Sequence, residues 1–248
     1  MRDPELENLL QDALDSGSAV WVVGDVHGYR ESFEALLEEL QIEEGDRVVC
    51  LGDLIDRGPD SEGVMRIVRE RDDVHSVRGN HDEMLRLSVS PKHGRMMRSW
   101  LKFGGEQTLA SFSEDRATAI EVARGWLHFV ESLPTQVVLR DHRIVHAGYV
   151  SGKPLDDQNN QELMWSREIF HYDEPLDPAR QIIVGHTTTQ ALLGPDSDGI
   201  WSSEVLLADG RPALLDIDTG IYLPGGQNPR ITALNLRDGS TLWQSRLE

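Results

Sequence analysis

The chain has 248 residues, enough for one large domain with a substantial core or for two small ones. Apolar residues make up 39% and charged residues 27%, the balance of a soluble globular chain, and no run of about 18 apolar residues offers a membrane span. With 24 Lys+Arg against 43 Asp+Glu, the net charge is -19. A field of that sign repels polyanions and argues against duplex nucleic acid as a partner. The first 18 residues are acidic and lack the apolar stretch of a secretory signal. The single cysteine, Cys50, can form no internal disulfide, and its neighbours predict a buried strand position. A cytoplasmic location is therefore expected.

Leu6, Leu9, Leu10, Ala13 and Leu14 recur at helical spacing, and Ser16-Gly17-Ser18 stops that pattern. The run 19–23 predicts a buried strand that ends in the polar loop Gly24-Asp25-Val26-His27-Gly28. An amphipathic helix follows over 30–40 on Phe33, Leu36, Leu37 and Leu40. Residues 48–51 predict a second strand, leading into Gly52-Asp53-Leu54-Ile55-Asp56-Arg57-Gly58-Pro59. Ser61 is the expected N-cap of a helix from Glu62 to about Glu70. A third strand, 74–77, runs into Arg78-Gly79-Asn80-His81. Strand, polar loop and helix alternate here as in an α/β fold with parallel strands. Each polar cluster falls at the carboxyl end of a strand, where open α/β sheets place their ligands.

The pattern is helical from Asp82 to about Leu133, with turn signals at Ser90–Gly94 and Phe103-Gly104-Gly105. Strands are predicted at 136–139, 143–146, 181–184, 204–207, 213–217, 231–236 and 241–244. Segments 155–160 and 191–199 read as loops. No internal repeat, low-complexity tract or domain linker is evident, so one domain is expected over 1–248.

Asp25 and His27 offer one oxygen and one nitrogen to a divalent metal, although such pairs also occur as purely structural contacts. Asp53, Asp56 and Arg57 lie between two glycines; the alternative is a solvated turn with an internal Asp–Arg pair. Asn80 can offer a carbonyl oxygen, which suits a harder metal, and His81 follows it. His146 and His186 each close a strand-like run and are followed by small residues. Any one cluster is weak evidence. All five follow predicted strands, and together they leave little room for chance.

In these stretches the sequence resembles the metallophosphoesterases of the phosphoprotein phosphatase family. The matching segments are Gly24–Gly28, Gly52–Gly58, Gly79–His81, His146-Ala147-Gly148 and Gly185-His186. The resemblance implies a four-layer α-β-β-α sandwich with two central mixed sheets and two divalent metals at their edge. It assigns Asp25 and His27 to the first metal, Asp53 to both, and Asn80, His146 and His186 to the second. His81 becomes the general acid, oriented by Asp56. Arg57 and Arg167, the latter in Met164-Trp165-Ser166-Arg167-Glu168, become phosphate ligands. The chemistry implied is direct attack on phosphorus by a hydroxide bridging the metals. Manganese(II) is the expected metal, with iron or zinc as alternatives. The substrate expected is a phosphorylated protein or small phosphoester, with a protein phosphatase acting on phosphoserine or phosphothreonine, and by extension phosphotyrosine, as the favoured case. Hydrolysis of diadenosine tetraphosphate or related nucleotides is the alternative, and an acid at position 56 tilts the balance toward the phosphatase. A non-catalytic metal-binding module is the reading from outside that class.

Overall fold

The structure is a computed structural model and describes residues 1–90 and 96–248. Its strands are β1 (Val20–Val23), β2 (Arg47–Cys50), β3 (Val74–Ser76), β4 (Gln136–Val138), β5 (His142–Val145), β6 (Gln181–Val184), β7 (Trp201–Ser202), β8 (Leu214–Asp216), β9 (Arg230–Asn235) and β10 (Thr241–Ser245). They form two five-stranded sheets, ordered β10-β9-β1-β2-β3 and β4-β5-β6-β8-β7. β1, β2 and β3 are parallel to one another, as are β5, β6 and β8. The remaining pairings are antiparallel, so both sheets are mixed.

All four β1 residues are buried, because both faces of its sheet are covered. Val20 and Val22 point into the core between the sheets, where they join Val49, Leu51, Ile144, Ile183 and Leu215. Trp21 and Val23 point the other way, into a core built with the helices. The side-chain period of two thus assigns alternate residues of one apolar run to two different cores. Helix α1 (Pro4–Asp15), capped by Asp3, adds Leu6, Leu10 and Ala13 to the core between the sheets.

The outer face of the first sheet is covered by α2 (Arg30–Glu39), α3 (Ser61–Glu70), α4 (Asn80–Val89), α5 (Met97–Trp100), α6 (Glu106–Phe112), α7 (Arg116–Gly125) and α8 (Leu127–Ser132). Over the second sheet the cover is thinner. There α9 (Asn160–Trp165) and the turns around it pack Leu163 and Ile169 on Val145, Ile182, Val184 and Leu214. The order is α-β-β-α, as the resemblance implies. No helix among the described residues is long and apolar enough to cross a membrane.

Several local expectations are corrected. Asp60, not Ser61, caps α3, accepting Gly63 N at 2.8 Å; the Ser61 hydroxyl instead accepts Asp56 N. The strand expected at 204–207 is absent: only Leu206 makes a bridge, to Pro212, and the chain turns tightly at 207–211. The pairing strand is β7, a few residues earlier. Residues 155–157 form a short 3-10 turn, and α9 starts at Asn160, where Asn159 and Glu162 make a capping box. The short helix α10 (Thr189–Leu193) enters the loop expected at 191–199. The interruption expected at 103–105 is present, as a kink at Gly104 with φ 118°. The one expected from Ser90 lies, beyond Ser90 itself, outside the described residues.

Candidate active site

The carboxyl ends of six parallel strands deliver the site. Asp25 and His27 follow β1, while Asp53, Asp56 and Arg57 follow β2. Asn80 and His81 begin α4 just after β3. His146 follows β5, His186 follows β6, and Asp218 lies two residues past β8. Five of these residues have left-handed backbones: His27, Asp53, Asp56, Arg57 and His186, with φ between 47° and 73°. Among the described non-glycine residues only Gln41 and Asn228 share that conformation. Each such residue costs on the order of 1–3 kcal/mol, and such strain gathers where side chains must be aimed.

Close glycine contacts let the loops meet. A Cβ on Gly79 would lie 2.1 Å from Asp53 Oδ1, and one on Gly185 would lie 2.3 Å from Asp25 Oδ1. Asp82 stitches two of the loops together, accepting Gly79 N at 2.8 Å and Leu54 N at 3.1 Å.

Two donor groups share Asp53. His27, Asp53 and His81 form one, and Asp53, His146 and His186 the other, with donor atoms within 4.8 Å of one another in each. Asp53 divides its oxygens between them: Oδ2 is 3.6 Å from His27 Nε2, and Oδ1 is 3.5 Å from His146 Nε2. Asp25 Oδ2 sits 3.9 Å from His27 Nε2. His27 Nδ1 donates to Ile55 O at 2.9 Å and His146 Nδ1 to Leu51 O at 2.8 Å. These backbone acceptors fix the tautomers, so each Nε2 carries the lone pair. Burial holds the His27, His146 and His186 imidazoles below their usual range, in the neutral form a metal requires.

A pair of divalent cations fits these residues. The His146 Nε2 lone pair points at Asn80 Oδ1 from 2.8 Å, and His186 Nδ1 reaches the same oxygen at 2.8 Å. At His146 two acceptors face each other, a contact that a shared cation would reconcile. Negative charge is also in excess. Asp25, Asp53, Asp216 and Asp218 are all buried, and Asp216 Oδ2 and Asp218 Oδ2 have no hydrogen-bond partner among the described residues. Burial, then the charges of Asp218 and Asp53, pushes the Asp25 carboxyl well up, and burial pushes Asp218 up to about 6. Uncompensated buried carboxylates are costly unless paired or bound to metal.

Beside the donors lies a cavity of about 270 Å³ lined by Asp53, Arg57, Asn80, His81, Arg167 and His186, with Met84, Phe103, Trp165 and Tyr222 as walls. Arg57 lies over the Tyr222 ring at 3.8 Å and donates to His27 Nε2 at 2.6 Å and His81 Nε2 at 2.9 Å. Exposed Arg167 makes no ion pair among the described residues. His81 Nδ1 donates to Asp56 Oδ2 at 2.6 Å, which leaves its Nε2 turned toward Arg57.

All ten residues singled out from the sequence converge here. Asp82, Asp218 and Tyr222 were missed. Asp218 had a local signal, an Asp-X-Asp after an apolar run, whereas the places of Asp82 and Tyr222 depend on tertiary packing. Cys50 is buried in β2, as expected, and burial pushes its thiol up.

The sequence model of the calcineurin-like phosphoesterase family matches residues 18–209, and the chain belongs to that family. It is thus a metal-dependent hydrolase of phosphoesters, of a family that uses a dinuclear metal site. A serine/threonine-protein phosphatase 1 from Salmonella typhimurium is 34% identical over 68% of this chain and 78% of its own. A symmetrical bis(5'-nucleosyl)-tetraphosphatase from Aromatoleum aromaticum is 31% identical over 54% of this chain and 45% of its own. Among solved structures, one described as a candidate diadenosine tetraphosphatase superposes with a TM-score of 0.64 at 20% identity. That match covers 93% of this chain and 94% of the other, and supports the fold.

Proposed function

We propose that this protein is a manganese-dependent phosphomonoesterase acting on phosphoserine and phosphothreonine in proteins, with small phosphoesters as further substrates. In this reading Asp25 and His27 would hold one metal, Asn80, His146 and His186 would hold the other, and Asp53 would be a ligand shared by both. Such a pair supplies Lewis acidity to the phosphoryl group and to water. The chain's own groups do the rest. Arg57 and Arg167 grip the phosphoryl oxygens, where a planar guanidinium fork suits the geometry. His81 gives a proton to the leaving oxygen, and Asp56 holds its ring through Nδ1.

The observation that carries this reading is the 2.6 Å contact between His81 Nδ1 and Asp56 Oδ2, with His81 also lining the cavity. An alkoxide leaving from a serine or threonine ester is strongly basic and needs a proton. A phosphate leaving from a nucleotide polyphosphate needs one far less. A cytoplasmic setting agrees with the lone reduced cysteine.

The test uses metal-stripped protein reloaded with manganese and offered a phosphoserine peptide, an aryl phosphate and diadenosine tetraphosphate side by side. Activity that chelation abolishes and manganese restores, greatest on the peptide, is the expected result. Preferential cleavage of the dinucleotide would overturn the substrate assignment. No metal-dependent phosphate release from any of the three would overturn the whole reading.

A further inference from the structure

Helices α5 and α6 reach the proposed proton donor through one carboxylate. Asp56 is fully buried, and three side chains donate to it. His81 Nδ1 reaches Oδ2 at 2.6 Å. Trp100 Nε1 lies 2.9 Å from both oxygens, and Thr108 Oγ1 donates to Oδ1 at 2.5 Å. Trp100 and Thr108 are themselves fully buried, and neither lines the cavity.

Both are held firmly. The Trp100 indole packs on Gly105, where a Cβ would come within 2.6 Å of the ring. Gly104, at φ 118°, turns its carbonyl to accept Arg57 N at 3.3 Å. The Thr108 hydroxyl also accepts Asp56 N at 3.0 Å, so it grips both backbone and carboxylate of the same residue. A carboxylate with one neutral donor would keep rotational freedom about its terminal torsion. Here an indole fixes the plane, a hydroxyl fixes one oxygen, and the other oxygen is left to the imidazole. Fully satisfied buried networks of this kind specify one geometry.

We infer that Trp100 and Thr108 are positioning residues for proton donation: through Asp56 they fix the orientation of the His81 ring without touching substrate. This rests on the phosphomonoesterase reading above. Its consequence is selective. A misoriented proton donor slows the departure of a basic alkoxide and hardly affects a leaving group that needs no proton. General acid catalysis contributes roughly 10²–10⁴-fold, and losing one of three fixings forfeits part of it.

The test compares Trp100→Phe, Thr108→Val and Thr108→Ser with the unmodified protein, all loaded with manganese. The substrates are an alkyl phosphate (a phosphoserine peptide) and 2,4-dinitrophenyl phosphate, whose leaving group is weakly basic. Phe keeps an aromatic ring against Gly105 and removes the N–H; Val keeps the shape of Thr and removes the hydroxyl. The expected result is a fall in kcat of about tenfold on the alkyl ester. KM should hold, dinitrophenyl phosphate should be cleaved almost normally, and Thr108→Ser should restore the alkyl activity. Equal losses on both substrates would mean a merely structural role, and no loss on either would mean that neither side chain matters; each result overturns the inference. An unmodified protein inactive on both substrates would instead overturn the function proposed above. Melting curves identify any variant that fails to fold, and the Val/Ser pair at position 108 decides the matter if Trp100→Phe does.

Discussion

Replacing Gly79 by alanine adds a single methyl group at the most crowded point of the site. The backbone does not forbid it, because Gly79 has φ -91° and ψ 174°, a conformation open to any residue. The penalty is contact alone. The new Cβ would stand 2.1 Å from Asp53 Oδ1 and 2.3 Å from Asp53 N, whereas real Cβ contacts begin near 3.0 Å. Asp53 and its loop must therefore retreat by about 1 Å. Overpacking of this kind costs about 1–3 kcal/mol of stability, which leaves the protein folded. The functional cost is larger, because Asp53 divides its oxygens between the two donor groups. A 1 Å misplacement of a reacting geometry lowers rates on the order of 10²-fold. The assay is kcat on an aryl phosphate against manganese concentration, with a thermal melt alongside. Gly125→Ala is the control, since nothing lies within 4 Å of a Cβ there. A folded Gly79→Ala variant with unchanged kcat and manganese dependence would refute both the crowding argument and the bridging role of Asp53.

Arg167→Ala should remove a charge-assisted contact worth about 1.5–3 kcal/mol and raise KM about 10- to 100-fold while lowering kcat less; an unaltered KM would take Arg167 out of the phosphate site. His142 opens β5, four residues before His146, and burial followed by the charge of Arg211 pushes its imidazole down to about 4. The unfolded chain, near 6.5, binds the proton more readily, so this contribution to stability is complete above pH 6.5 and is lost as the pH falls to 4. A gap of about 2.5 pH units at 1.36 kcal/mol each gives about 3 kcal/mol. Urea unfolding of the parent and of His142→Gln across that window should show a shallower acid loss in the variant, and parallel curves would contradict the assignment.

The chemistry-bearing loops were legible in the sequence because each is local. A short apolar run predicts a buried strand, and the polar residues just after it necessarily emerge at the strand's carboxyl end. Asp25, His27, Asp53, Asn80, His146 and His186 all carry that signature. What could not be read was anything decided by packing between distant segments. Nothing near Thr108 reveals that its hydroxyl serves a carboxylate 52 positions away. Asp82 reads as an ordinary acid in the first turn of a helix, yet it ties two loops together. The exchange of Ser61 for Asp60 as helix cap has the same cause, since Thr108 and Asp56 N draw the Ser61 hydroxyl inward. The missing strand at 204–207 failed for a different reason. Its apolar residues turn back at once toward Pro212, too soon for an extended pairing.

The two halves of the site come from different sheets, and this explains why so much of the chain is needed to make it. Asp25, Asp53 and Asn80 follow strands of the first sheet, while His146 and His186 follow strands of the second. Only contacts across the interface set their separation. His146 Nδ1 donates to Leu51 O, Gly185 packs against Asp25, and the valines and leucines of the shared core hold the two sheets in register. Close-packed interiors transmit small displacements instead of absorbing them. The apolar layer between the sheets therefore fixes the distance across which Asp53 reaches both donor groups. The left-handed strain at Asp53 and His186 is tolerable for the same reason, because the strands that carry these loops are anchored on both faces.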